Sequence, residues 1–218
     1  MRSLRLYVKL LEVRGEFISE ITRHQSAFGV SLRDEAIGRL ADYYELVVEH
    51  NAILHLVAPC PPQEFAVRHI LESLTLLDHL PKNAKFADVG TGAGLPSIPC
   101  LVVRDDLKAT LIESKEKKIG FLREAVFKLD LADRVELCGN QFSEVKKTSD
   151  VSFVTCRALD KFPAKLPQLI KWSNRSTCLL FGGPSLRTAL ESCGIMFDGH
   201  LLPMSEQRYL FVTREQNG

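Results

Sequence analysis

Apolar positions recur at helical intervals over residues 3 to 27 and again over 31 to 50, which predicts two amphipathic helices. Ser31 and Asp34 offer an N-terminal cap for the second. Cys60-Pro61-Pro62 interrupts the pattern before another helical run at about 63 to 80, and Pro81-Lys82-Asn83 marks a join. The period then changes. Short apolar runs near 85–89, 108–112, 134–138, 151–155 and 177–181, most of them separated by helix-length segments, predict a parallel sheet with helices on both faces. After Gly182-Gly183-Pro184 and one more helix at about 185 to 193, the runs 195 to 202 and 208 to 213 stand close enough to pair as a hairpin. The expected organisation is an N-terminal helical region, 1–81, followed by an α/β unit, 82–218. No internal repeat, low-complexity tract or long linker is present.

With 45% hydrophobic residues, 218 residues suffice for one substantial core and a small appendage. Glu12, Arg14 and Glu16 cut the first apolar run below signal-peptide length, and no later run is long enough to span a bilayer. Cys60, Cys100, Cys138, Cys156, Cys178 and Cys193 never approach a Cys-x-x-Cys spacing, and several lie inside predicted strands. They read as reduced core residues, not as a disulfide framework or zinc site. The expectation is a soluble cytoplasmic protein with no metal and no membrane contact. A net charge of +1 disfavours a surface that grips nucleic acid everywhere. The distribution is uneven, however: Lys plus Arg against Asp plus Glu is 8 to 11 over residues 1–80 and 20 to 16 over 81–218. Lys115, Lys117, Lys118 and Arg123 fall within about two helical turns, either as a basic rim or as a solvated face balanced by Glu116 and Glu124.

The chemistry concentrates where the first predicted strand ends. Phe86-Ala87-Asp88-Val89-Gly90-Thr91-Gly92-Ala93-Gly94-Leu95-Pro96 closes an apolar run with glycines at alternate positions, a turn that lets a ligand approach the backbone. The spacing is Asp-x-Gly-x-Gly-x-Gly, not the Gly-x-Gly-x-x-Gly of dinucleotide sites, which sets a dehydrogenase aside. It resembles the first motif of class I methyltransferases. Glu113, ending Lys108-Ala109-Thr110-Leu111-Ile112-Glu113, stands about twenty residues on, where an acid would hold ribose hydroxyls. The competing role for Glu113 is a cap on the next helix, with Ser114 beside it.

Three stretches carry a more specific likeness: Val67-Arg68-His69-Ile70-Leu71-Glu72-Ser73-Leu74, Gly90-Thr91-Gly92-Ala93-Gly94-Leu95-Pro96-Ser97-Ile98-Pro99, and Lys117-Lys118-Ile119-Gly120-Phe121-Leu122-Arg123. Together they resemble the RsmG (GidB) family, which methylates N7 of a guanine in bacterial 16S ribosomal RNA using S-adenosylmethionine. Cys156-Arg157-Ala158 is similar to a Ser-Arg-Ala element of that family and Gln207-Arg208-Tyr209 to a Glu-Arg-His. The likeness runs from about Tyr43 through Arg214 and is sparse beyond Arg123. It implies a class I, Rossmann-like methyltransferase with a mostly parallel seven-stranded sheet and a C-terminal antiparallel hairpin.

In such sheets the ligand lies beyond the carboxyl ends of the strands, at the switch point. The resemblance therefore implies that Gly90, Gly92 and Leu95 border the methionine and ribose portions of the cofactor. A helix starting near Leu95 would turn its N-terminal dipole to the methionine carboxylate. Phe142, next to Asn140 and Gln141, would wall the adenine while backbone groups near Ser143 bond its edge; Phe142 also reads as a core aromatic. Arg157 is placed at the cofactor pocket, on the methionine carboxylate or an RNA phosphate, against the alternative of an ion pair with Asp88 or Asp160. Arg68, His69, Lys117, Lys118, Arg123 and Arg208 are the implied RNA-facing residues. No general acid or base is nominated, since N7 already carries a lone pair and alignment supplies the rate. His50, His55 and His69 lack metal spacing. The target guanine should be unpaired or distorted, because A-form grooves are hard to enter. A monomer acting on 16S RNA or the 30S subunit is implied.

The chain departs from the family in two places. Where the family shows Trp-Asn and then Asn-Leu-Thr, this sequence has His50-Asn51 and His55-Leu56-Val57, and a usual Lys-Gly after the fifth strand is Phe181-Gly182. Two other function classes stand beside the leading one: a divergent methyltransferase for a small molecule or protein, and a non-catalytic RNA- or ribosome-binding module. Cofactor binding separates the second of these.

Overall fold

The computed structural model describes residues 2–146, 150–157 and 161–214, with side chains from residue 11 onward. Ala158 and Asp160, named above, lie outside the described residues.

The alternating apolar runs form a seven-stranded sheet in the order β3-β2-β1-β4-β5-β7-β6. Strands β1 (Lys85–Val89), β2 (Lys108–Ile112), β3 (Val135–Cys138), β4 (Phe153–Arg157) and β5 (Thr177–Gly182) are parallel. The expected hairpin is β6 (Phe197–Leu201) against β7 (Tyr209–Thr213), and β7 also pairs antiparallel with β5. β4 lies two residues later than its apolar run suggested. A shift of two preserves which side chains face which side.

Period-two alternation sorts the strands onto two cores. Phe86, Leu179 and Phe181 face one; Ala87, Val89, Val154, Cys156, Cys178 and Leu180 face the other. Helices α5 (Ser97–Val103) and α6 (Glu116–Lys128) pack with α2 (Asp34–Leu54), while α7 (Phe162–Ser173) and α8 (Pro184–Ser192) lie on the second core. Cys100, Cys156 and Cys178 are buried and Cys60 and Cys138 half-buried, but Cys193, expected inside, is exposed at the end of α8.

The helical region does not stand apart. Its aromatic layer, Phe17 of α1 (Arg2–His24) stacked at 4.8 Å on Tyr44 and Tyr44 at 4.8 Å from Phe65, belongs to the core cluster that includes Phe86 and Leu111. Arg39 of α2 donates to the Leu129 carbonyl at 2.6 Å and the buried Tyr43 hydroxyl donates to the Ala93 carbonyl at 2.7 Å, so α2 braces the glycine loop directly. The proposed Ser31/Asp34 cap of α2 is not made: Arg33 occupies the cap position without a side-chain bond. Asp34 and Glu35 instead sit in the first turn, where negative charge meets the helix dipole. The third helical run is subdivided into α3 (Pro62–Phe65), a π turn at Ala66–Leu71, α4 (Glu72–Leu74) and a 3-10 turn at Thr75–His79. Pro62 opens it at a position where no N–H is needed.

Candidate cofactor and substrate site

Register brings the site together. Val89 pairs with Ile112, Gly90 N–H donates to the Ile112 carbonyl at 2.9 Å, and Glu113 N–H donates to the Cys138 carbonyl at 3.0 Å, so the carboxyl ends of β1, β2 and β3 finish level. The sheet order reverses between β1 and β4, which opens the crevice there. Gly92 and Gly94 turn the loop with φ of +59° and +90°. A Cβ on Gly94 would stand 2.3 Å from Ile98 Cδ1, so packing alone requires glycine there. At Gly92 a Cβ would make only ordinary contacts, 3.9 Å from the Gly90 carbonyl oxygen and Lys118 Nζ, so the positive φ and not packing favours glycine there.

Asp88 anchors the turn from below. Its Oδ2 accepts from Thr91 Oγ and Ser97 Oγ, both at 2.6 Å. Helix α5 begins at Ser97, two residues past Leu95, with Ile98 N–H already donating to the Gly94 carbonyl at 2.7 Å, and its buried first residue is bonded to Asp88. Burial raises the Asp88 pKa to about 7, and Oδ1 is buried without a partner.

Above the turn lies a cavity of about 600 Å³, inside the roughly 300–1,000 Å³ range of small-molecule sites. Gly90, Gly92, Leu95, Glu113, Phe142 and Arg157 all line it, so six of the seven expected cofactor residues converge. Ser143 is the exception; it is exposed in the following 3-10 turn, with Asn140 and Gln141 on the wall in its stead. Glu113, 7% exposed, accepts from Gly92 N–H at 3.1 Å through Oε2 and from Lys115 N–H at 2.8 Å through Oε1. It thus holds the loop while its remaining lone pairs border the cavity. The Phe142 ring is buried edge-on to Trp172, with centroids 6.0 Å apart, and serves core and wall together.

Arg157 takes a partner that the sequence did not suggest. Its Nη2 lies 3.0 Å from Oε2 of Glu72, a fully buried carboxylate whose Oε1 meets Arg208 Nε at 2.7 Å. Asp88 is not its counter-ion. The Arg157 guanidinium also lies 5.4 Å over the Phe181 ring.

The residues expected to face RNA divide. Arg123 is exposed. Arg68 is exposed and paired with Glu64, and Arg208 is engaged by Glu72. Lys117 borders a neighbouring groove with Ile53, Leu54 and His55. Lys118 lines both that groove and the main cavity. His69 lines the cavity wall, and burial with three nearby guanidinium groups pushes its pKa down to about 3. Leu56 and Val57, singled out above as a departure from the family, line the cavity together with Ala58, which the sequence did not suggest; the Asn51 side chain holds this segment by accepting from Val57 N–H at 3.0 Å. Among the described residues no three His, Cys, Asp or Glu side chains gather as metal ligands, and no helix is long and apolar enough to cross a membrane.

Sheet order, terminal hairpin and a glycine loop facing an acidic strand end define the Rossmann-like fold of S-adenosylmethionine-dependent methyltransferases. Solved structures agree. A SAM-dependent methyltransferase from Aquifex aeolicus superposes with a TM-score of 0.52 at 19% identity, covering 65% of this chain and 88% of its own. A precorrin-6y C5,15-methyltransferase from Geobacter metallireducens gives 0.52 at 16%, covering 67% and 88%. S-adenosylmethionine is the cofactor of this class, and the residues fit it: a glycine backbone on the cavity wall at Gly92, a carboxylate at Glu113 and an aromatic wall at Phe142.

Residues 36–183 match the model of the GidB family, described as rRNA small subunit methyltransferase G, and the chain belongs to that family. Proteins named ribosomal RNA small subunit methyltransferase G are similar to it. That of Pelotomaculum thermopropionicum is 39% identical over 56% of this chain and 50% of its own length. That of Yersinia pseudotuberculosis is 35% identical over 66% and 67%, and that of Neisseria meningitidis 35% over 68% and 69%. The chain thus matches half the length of the first relative and about two thirds of the others.

Proposed function

We propose that this protein transfers the methyl group of S-adenosylmethionine to N7 of a guanine in bacterial small-subunit (16S) ribosomal RNA. The observation that carries the reading is the single cavity in which Gly92, Glu113 and Phe142 meet His69 and Val57 of the helical region. It gives the cofactor one wall and leaves another for a second substrate. Membership of the GidB family supplies the substrate class.

When bound, the cofactor supplies an activated methyl on a sulfonium. Attack of the N7 lone pair on that methyl would return the C–S bonding pair to sulfur and would require no proton to be removed. The chain's own residues are therefore asked to bind, orient and exclude water, not to act as acid or base. In this reading residues 82–218 hold the cofactor and 1–81 close the substrate side. Action as a monomer is part of this reading. The substrate is a cytoplasmic ribosomal RNA or 30S subunit.

The test is transfer of labelled methyl to purified 30S subunits and to naked 16S RNA, with mass mapping of the product. Label at one guanine N7 is the expected result. Cofactor binding without incorporation into either RNA would overturn the substrate in favour of a divergent methyltransferase. Absence of cofactor binding would leave the non-catalytic module.

A further inference from the structure

His69 lines the cavity, yet its imidazole makes no hydrogen bond among the described residues, and Nδ1 is buried without a partner. The ring is held in place: it packs on Phe65 with centroids 4.9 Å apart, and its backbone carbonyl accepts from Ser73 Oγ at 2.5 Å. The charged groups acting on it are Arg157, Arg68 and Arg208, the first and third tied to Glu72 and the second to Glu64. Burial and these three cations keep the ring neutral at physiological pH.

A neutral imidazole has one N–H, and the surroundings choose which nitrogen carries it. A proton on Nδ1 would be a buried donor with no acceptor, placed among guanidinium groups; a lone pair there costs less. The proton therefore belongs on Nε2, the nitrogen left to the cavity. Resting on the methyltransferase reading above, we propose that His69 Nε2–H donates to O6 of the target purine and so selects guanine over adenine. Adenine presents an amino donor at that position, so N–H would face N–H. A neutral donor also avoids adding positive charge beside a ring that becomes cationic on methylation.

The experiment uses the full chain and 30S subunits or 16S RNA in which the mapped guanine is replaced by inosine, which keeps O6 and N7, or by 2-aminopurine, which keeps N7 but lacks O6. Wild-type kcat/KM should be similar for guanine and inosine and about 10- to 100-fold lower for 2-aminopurine, the range for one unmatched polar contact. His69→Ala should collapse the guanine to 2-aminopurine ratio toward one while its S-adenosylmethionine Kd stays unchanged. His69→Gln, which restores an N–H near the Nε2 position, should recover most of the ratio and controls for folding. A ratio that persists in His69→Ala, equal wild-type use of 2-aminopurine, or weakened cofactor binding in His69→Ala would each overturn the assignment while leaving guanine methylation intact. Failure of the wild type to methylate the guanine-bearing RNA would instead overturn the reading beneath it, and the assignment with it.

Discussion

Glu72 and Arg157 lie 85 residues apart in sequence and form a 3.0 Å ion pair beside the cavity, with the carboxylate fully buried. The pair ties the helical region to the carboxyl end of β4, and Arg208 extends the tie to the start of β7. A buried carboxylate is tolerated only when its charge is matched, and here two guanidinium groups share it.

Removing Glu72 should therefore be costly. Glu72→Ala leaves two cations facing an emptied site, and breaking buried pairs typically costs about 3–5 kcal/mol. Urea denaturation of the variant against wild type measures this. A loss below about 1 kcal/mol would mean that water already screens the group.

Glu113 and Gly92 make a second prediction, separable from stability. Glu113→Ala removes the acceptor of Gly92 N–H at 3.1 Å as well as the expected ribose ligand. S-adenosylmethionine binding should weaken by about 1–3 kcal/mol, the cost of leaving buried polar partners unmatched. Titration calorimetry decides it; unchanged affinity takes Glu113 out of the ribose site and leaves it as a brace for the loop.

Those two predictions differ in how visible they were beforehand. β1, β2, the glycine loop and Glu113 depend on local periodicity and short spacing, which a sequence displays directly. The Glu72 pairs join residues 85 and 136 positions apart, and no spacing rule reports such distances. A signal did exist: an acid within Ile70-Leu71-Glu72-Ser73-Leu74, flanked by apolar residues, must find a cation if it is buried. The place of His69 on the cavity wall is not announced by its neighbour Arg68; it lies within the π turn at Ala66–Leu71, which helical periodicity does not reveal. The Asp88–Ser97 bond is equally hidden, since the glycine spacing presents Asp88 as part of the motif and says nothing of its partner.

Asp88 gives a pH dependence. Its native pKa of about 7 lies above the ordinary 3.8, so the folded state holds a proton that the unfolded chain has released. Stability from this group is fully present below about pH 4 and is lost as pH rises toward 7, by up to roughly 4 kcal/mol at about 1.4 per unit. Asp88→Asn removes that titration. Unfolding free energies at pH 5 and pH 8 should show the wild type losing about 3 kcal/mol more than the variant. Parallel pH profiles would show that Asp88 is already ionised in the folded protein.

The basic run of α6 should separate by residue. Lys117 borders the outer groove with His55, whereas Lys118 also lines the main cavity and would stand 3.9 Å from a Cβ on Gly92. Each phosphate contact adds about 0.7–0.9 to the slope of log affinity against log salt. Lys117→Ala should therefore lower the RNA salt slope by about that amount and spare S-adenosylmethionine affinity. Lys118→Ala should weaken cofactor and RNA binding together, because its ammonium reaches the space where both would sit. RNA binding measured across a salt series, paired with cofactor titration, tests both. An unchanged slope in Lys117→Ala would return that lysine to a solvated helix face, and an unchanged cofactor Kd in Lys118→Ala would place its ammonium on the RNA side alone.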